Sequence, residues 1–471
     1  MRTSMWFLRN GAFAATTVIM AASSPAASAD HPGEFERISY ALPLGTAVPD
    51  GLVGAEALKT LGHRTALTGK GTTAMETAGP VSGYTARAST ASATGAPTPR
   101  SPRTVGPAAV TYPDPARSIS LAECRAQIDR PDGGKFYVKS RFAVCTGIRM
   151  ISTWTKRGAP VGTSETKIFI RGTVPKEADR TMTFDYDVVG FKKVGAIPTD
   201  REMYKIEGTI PQTWPSKARY TKGGSLPVTK SFDALRAMPS AHFTHTVRYA
   251  PGQGTGAGAA DVVFAVYQPV VTASAVPGWI GAPSTGKPFL LAPRWDAAKY
   301  LNNPTGGTKP ANKGSAAFSY LSTLEYSTKA TAPERGAAAH IKKAFTKPKT
   351  TQPPNGDKRI PGQNVDTPLH RLYLDAKRRK DNRSRAVSNC RRYFGADYTK
   401  GGKDCDEYPF ATTYEGAAQA EYDPHSEKLN FSVLPVDATQ NQDAGRILGH
   451  FLTKNRIIDG PDDGFLVKIT S

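Results

Sequence analysis

Toward its C-terminal end the chain sets a run of cations beside a run of acids. From Ile341 to Asp404 there are 17 Lys and Arg against six Asp; from Cys405 to Ser471 there are five against eleven Asp and Glu. The basic half holds Lys377-Arg378-Arg379-Lys380, then Arg383, Arg385, Arg391 and Arg392. A solvated helix face would account for such a run by itself. Beside a carboxylate cluster the run suits phosphodiester chemistry: cations hold a phosphate backbone, and carboxylates hold a divalent metal. A pure nucleic-acid binder gains nothing from the acids. Other chemistries are poorly served. No Ser/His/Asp spacing suggests a serine hydrolase. Gly252 to Gly258 is glycine-rich but lacks a following Gly-Lys-Ser/Thr, so it reads as a hairpin connection. His242 and His245 are spaced H-x-x-H with no third ligand nearby and read as strand-end histidines.

The acids need elements to position them. Asp404 to Gly416 reads as a strand, a turn and a return. Leu429 to Val436 is a further strand, with Phe431 and Val433 alternating against Ser432 and Leu434. A helix follows from about Asn441 to Asn455, its apolar stripe formed by Ala444, Ile447, Leu448, Phe451 and Leu452. Thr439 can cap it, and Asp443 suits its first turn. Phe465 to Ile469 makes a last strand. Strands followed by one amphipathic helix bring Asp406, Glu407, Glu415 and Asn441 together. Neighbours on a strand point to opposite faces, so Asp406 and Glu407 do not share one unless the strand bulges. With Asp406 facing in, Glu407 is placed to pair with an arginine. Glu415 is either a site residue or a carboxylate that stabilises a turn.

The motif Cys405-Asp406-Glu407-Tyr408-Pro409-Phe410-Ala411, followed by Tyr414-Glu415-Gly416 and then by Gln440-Asn441-Gln442 with Ala444-Gly445-Arg446, resembles the NucA/NucB-type extracellular deoxyribonucleases. Pro368-Leu369-His370-Arg371-Leu372 resembles the segment leading into that domain, and the resemblance covers about residues 366–471. It implies a small α+β nuclease domain with a ββα-metal core, a largely sequence-nonspecific endonuclease dependent on Mg²⁺ or Mn²⁺. Asp406 falls on the family's general base and Asn441 on the helix asparagine that helps hold the metal. Glu407 and Glu415 fall on its acidic positions. No histidine occupies the base position. An ordinary aspartate, with a pKa near about 3.9, is a weak base at neutral pH. Oxygen ligands favour Mg²⁺ or Mn²⁺ over Zn²⁺. The expected partner is DNA, with RNA left open. Lys377, Arg378, Arg379, Lys380, Arg383 and, on the last helix, Arg446 are the candidate DNA-binding cations.

The rest of the chain sets the context. It has 471 residues, 39% hydrophobic and 21% charged, with 44 Gly and 37 Pro. Those figures exclude a coiled coil, a collagen and a multi-span membrane protein. The net charge of +21 asks for a polyanion or an anionic surface as partner, cell-surface association included. Residues 1–29 read as a secretory signal peptide: Arg2 and Arg9, a short apolar run from Gly11 to Ala22, then Ala27-Ser28-Ala29 before Asp30. No later stretch reads as a transmembrane helix. Export to an oxidising compartment predicts disulfides Cys124–Cys145 and Cys390–Cys405. Each short loop so closed is worth about 3 kcal/mol in the entropy account.

Residues 30–115 read as a disordered leader; between Gly71 and Val110, 31 of 40 residues are Ala, Gly, Pro, Ser or Thr. Residues 116–275 alternate with period two and predict an antiparallel β-sandwich-like domain of unknown role. Residues 276–365 form a mixed segment, with strands between Ala316 and Tyr326, a helix from Pro333 to Phe345 and a Pro/Lys-rich linker from Thr346 to Gly362. Two other functions fit parts of this pattern. One is a polyanion- or cell-wall-binding secreted protein whose nuclease end has decayed; the other is a nuclease toxin delivered to rival cells.

Overall fold

The computed structural model describes residues 35–46, 110–130, 133, 135–176, 179–301 and 314–471. The expected signal peptide and most of the expected leader lie outside them. The chain divides into two compact units: among the described residues one takes 35–46 and 116–319, the other 110–115 and 320–471.

The N-terminal unit is antiparallel β-sheet, curled as a half-barrel. One sheet joins β1 (Phe35–Pro43), β2 (Phe136–Ser140), β3 (Ala143–Lys156), β4 (Ala159–Thr173), β5 (Thr181–Gly195), β7 (Tyr220–Gly224) and β9 (His242–Tyr249). The other joins β6 (Glu202–Trp214), β8 (Val228–Ser231), β10 (Val262–Ala275), β11 (Ser284–Gly286), β12 (Pro293–Asp296) and β13 (Ser315–Phe318). The period-two pattern of the sequence becomes alternate burial along β4, β5 and β10. Helix α1 (Leu121–Ile128) is tied to β3 by the expected disulfide between Cys124 and Cys145.

Aromatic and polar side chains join the two sheets. The ring of Phe184 on β5 stacks on Tyr267 of β10 with centroids 3.5 Å apart. The hydroxyls of Tyr186 and Tyr267 lie 2.9 Å apart, and Tyr267 also reaches His245 Nδ1 at 2.9 Å. A second junction is charged. Glu202 of β6 accepts hydrogen bonds from Ser152, Ser164 and Tyr204, and lies 3.7 Å from the guanidinium of Arg37 on β1. Such a buried pair persists because its lone pairs are satisfied by neighbours.

Three stretches depart from the expected organisation. Phe35–Pro43, inside the expected leader, is a full strand paired with β3 from Lys156 to Ile148. Its alternation is short and sits beside a long Ala/Gly/Pro-rich stretch, which masked it. The strands β11 to β13 of the mixed segment extend the sheet of β6 and β10, and the two compact units divide after Ser319. Residues 346–362 are no free linker. The Gln352 carbonyl accepts from Val433 N–H at 2.8 Å, and the Lys358 ammonium is buried against Thr351 O, Thr351 Oγ1 and Pro353 O. Proline suppresses helix and sheet there, but it leaves carbonyl acceptors that packing can use.

The C-terminal unit follows in order: β14 (Ser322–Ser327), α3 (Arg335–Thr346), β15 (Leu369–His370), α4 (Ala376–Phe394), β16 (Lys403–Tyr408), α5 (Gln419–Tyr422), β17 (Ser432–Asp437), α6 (Ala438–Lys454) and β18 (Gly464–Thr470). α2 (Phe232–Arg236) belongs to the N-terminal unit. β18 lies between β14, parallel to it, and β15, antiparallel. β16 and β17 form a separate antiparallel pair in which Asp406 faces Leu434 and Glu407 faces Val433. β16 therefore pairs with β17 and not with a return inside Asp404–Gly416. β17 runs directly into α6, whose N-cap is Asp437, accepting from Gln440 N–H at 3.0 Å; the expected cap, Thr439, lies within the helix. The expected stripe of α6 is buried, and it packs with Ala338, Ile341 and Ala344 of α3 and Leu324 of β14 in one core. Among the described residues no helix is long and apolar enough to cross a membrane.

The buried imidazole of His245 is held neutral, its pKa pushed down to about 4 by burial and by the nearby Lys222. The unfolded chain binds a proton there near pH 6.5 and the folded chain does not. Stability from this group is therefore fully present above pH 6.5 and is lost as pH falls toward 4, by on the order of 2–3 kcal/mol in all. Trp154, Trp214, Trp279 and Trp295 all lie in the N-terminal unit, so tryptophan fluorescence reports its unfolding. Urea midpoints at pH 7.5 and pH 5 should differ clearly more for the native chain than for His245→Gln. Equal pH slopes would show that His245 does not carry the effect.

Candidate active site

The site is built on the short strand β16, whose side chains alternate between two neighbours. Cys405 and Glu407 point toward α4; Asp406 and Tyr408 point toward α3. α4 is started by Asp375, whose carboxylate accepts from Arg378 N–H at 2.9 Å. Its buried side, Asn382, Ala386, Asn389 and Cys390, lies against β16 and the loop after it. Cys390 carries the expected disulfide to Cys405. Asn382 fixes the loop: its amide donates to Ala411 O and Thr413 O at 3.0 Å, and its oxygen accepts from Ala418 N–H at 3.0 Å. Gly416 is required beside it, because a Cβ there would collide with the Asn382 amide.

On the α4 side, Arg383 wraps the open edge of β16. Its guanidinium donates to Glu407 and to the Cys405 carbonyl, and to Asp404 at 3.0 Å. Asn441, in the first turns of α6, reaches the same edge, its Nδ2 donating to Asp404 Oδ2 at 3.5 Å and to Cys405 O at 3.4 Å. Glu407 has its pKa pushed up to about 7: burial raises it most, Asp406 and Asp404 add to this, and Arg383 opposes it. The pairing of Glu407 with an arginine, read from strand alternation, is the geometry found.

On the α3 side, Asp406 is buried and receives His340. His340 Nδ1 lies 2.6 Å from Asp406 Oδ2, and Nε2 lies 2.7 Å from Ser432 Oγ. The imidazole is itself 2% exposed. Neither His340, Asp404 nor Ser432 was singled out by sequence reasoning. The one sequence signal for His340 is its place on α3: it interrupts the apolar side made by Ala337, Ala338, Ile341 and Ala344. A histidine on such a side needs polar partners, and here it finds two.

The remaining candidates are spread around this strand. Glu415 sits in the loop after β16 and grips His370: its carboxylate accepts from the backbone N–H at 2.9 Å and lies 2.7 Å from Nδ1. Burial pulls the His370 pKa down, but Glu415, with Asp463 and Asp462 behind it, outweighs burial and holds it above the usual value. Among the cations, Arg378 donates to Tyr414 O at 2.7 Å and lies over the rings of Tyr414 and Tyr422. Arg379 lies over Tyr373. Arg446 pairs with Asp443 and Arg385 with Glu421. Lys377, 80% exposed, makes a solvent-facing pair with Asp381, and Lys380 is exposed.

The donors fit a hard cation in kind. Asp404, Glu407, the Cys405 carbonyl and the Asn441 amide are all oxygen-bearing groups of the sort Mg²⁺ or Mn²⁺ takes. Among the described residues, however, no three His, Cys, Asp or Glu side chains converge as a ready ion site. The two carboxylates converge on Arg383.

Removing Arg383 strips the largely buried Glu407 carboxyl of its guanidinium partner and forces it to take up a proton or hold an unanswered charge. Arg383→Ala should destabilise the C-terminal unit by about 2 kcal/mol, less than a fully buried pair because the guanidinium side chain is 38% exposed. Arg383→Ala/Glu407→Gln should recover much of that loss. A double variant as unstable as the single one in thermal melts would contradict the pairing.

Comparison with known proteins agrees with this unit. No curated protein and no solved structure matches the chain. Residues 366–467 match the family model of deoxyribonuclease NucA/NucB. That span takes in β15, α4, β16, α5, β17, α6 and most of β18, and it leaves out β14 and α3. The C-terminal region of the chain thus carries a nuclease domain of the deoxyribonuclease NucA/NucB family.

Proposed function

We propose that the C-terminal unit is a divalent-metal-dependent, largely sequence-nonspecific endodeoxyribonuclease with a ββα-metal core, and that the chain works outside the cell. The observation that carries this is the run β16, β17, α6, which brings Asn441 to the strand holding Asp406. Two disulfides support an oxidising compartment. Asp406 orients a water against the scissile phosphate and accepts its proton. Asn441 and Asp404, with the Cys405 carbonyl beside them, are the oxygen donors that would hold the ion. A bound Mg²⁺ or Mn²⁺ supplies charge neutralisation at the phosphate and the leaving oxygen. Arg383 keeps the strand edge and Glu407 in register. Glu415 acts through His370 on the loop and not on the phosphate. The exposed cations of α4 hold the DNA backbone.

Purified protein should cut supercoiled plasmid with Mg²⁺ or Mn²⁺ and lose that activity in EDTA. Asn441→Ala should cut at least about 10-fold slower while melting at nearly the native temperature. Cutting that persists in EDTA would refute the metal reading.

The basic track makes a separate expectation. Lys377 and Lys380 are solvent-facing, and the exposed pair of Lys377 with Asp381 is weak enough to exchange for a phosphate. Lys377→Gln/Lys380→Gln should raise KM on all sequences alike and flatten the log–log salt dependence by roughly one to two units. kcat should hold. An unchanged KM and slope would move the DNA track off this helix.

A further inference from the structure

The nuclease reading leaves a buried histidine unused. His340 comes from α3, upstream of the residues the family model matches. We infer that His340 is a positioning residue for DNA hydrolysis: it holds Asp406 Oδ2 through Nδ1 and is itself oriented by Ser432, which leaves Oδ1 to take the water. This rests on the reading of Asp406 as the base.

The geometry carries the assignment. An imidazole can be anchored at both nitrogens only by partners on opposite sides of the ring. Here a carboxylate is at 2.6 Å and a hydroxyl at 2.7 Å. A carboxylate only accepts, so Nδ1 carries the proton toward Asp406, and the Ser432 hydroxyl, which can donate or accept, meets Nε2. Ser432 lies on β17, the partner of β16, so ring and carboxylate are referenced to the same two-stranded ribbon. α3 cannot drift, because Ala338, Ile341 and Ala344 are buried in the core with Phe451 and Leu448. Asp406 Oδ1 makes no hydrogen bond among the described residues, and the side chain keeps 8% of its surface exposed. One oxygen is thus fixed and the other is available. A carboxylate held by one oxygen loses its rotation, and a misplacement of about 1 Å in such a group can cost about 100-fold in rate.

The test compares His340→Leu, His340→Asn and Ser432→Ala in the full chain. The Asn amide can replace the Nδ1 donor; Leu fills space without one. His340→Leu should lose about 10–100-fold in kcat, with KM and metal-free DNA affinity unchanged. His340→Asn should recover most of kcat, and Ser432→Ala should lose about 3–10-fold. In ¹⁵N-histidine-labelled protein without metal, His340 should show a protonated Nδ1 whose resonance moves in Asp406→Asn. The proposal is overturned by a folded His340→Leu with native kcat, by equal losses in Leu and Asn, or by a rise in kcat, which would make the contact inhibitory. Should His340→Leu fail to fold, Ser432→Ala and the Nδ1 resonance decide. Native cutting by Asp406→Asn would sink the base assignment instead.

Discussion

A two-stranded ribbon is marginal in water, and β16–β17 depends on both of its faces being covered. Everything at the candidate site follows from that. On one face the disulfide from Cys390, the guanidinium of Arg383 and the amide of Asn382 fasten the strand and its loop to α4. On the other face α3 and α6 supply an apolar core and one imidazole. Strand alternation then sorts two neighbouring acids into different environments. Glu407 is answered by a guanidinium and Asp406 by a histidine. Two adjacent carboxylates thus meet different partners without a bulge between them.

The two units solve the problem of buried polar groups differently. The N-terminal unit places Glu202 with Arg37 and three hydroxyls between its sheets, and His245 with Tyr267. These junctions fix how the sheets meet. The C-terminal unit puts its buried polar pairs against one strand and one loop. Asp406 with His340 and Glu415 with His370 each hold a carboxylate in place by an imidazole, but the second pair staples a turn. Sequence alone left Glu415 between these roles, because spacing cannot say which partner comes near.

What was legible in the sequence had short range. The stripe of α6, the strand at Ser432–Asp437, both disulfides and the arginine partner of Glu407 all follow from periodicity, loop length or alternation. What was hidden had long range or ambiguous composition. His340 meets Asp406 across 66 positions, with nothing local to announce it. Arg383 looks like any member of a basic run until its acceptors are seen. Residues 346–362 and Phe35–Pro43 looked like linker and leader because composition measures propensity, whereas tertiary hydrogen bonds decided both.

The central constraint is that the C-terminal unit needs β14 and α3, upstream of the matched residues: β14 pairs with β18, and α3 covers the face of β16 on which Asp406 sits. Producing residues 320–471 and 366–471 separately, and measuring thermal melts and plasmid cutting with Mn²⁺ side by side, tests it most directly. The longer piece should melt cooperatively and cut with the kcat of the full chain, and the shorter should fail to fold cooperatively or cut at least about 10-fold slower. A shorter piece that folds and cuts as fast as the full chain would contradict the account.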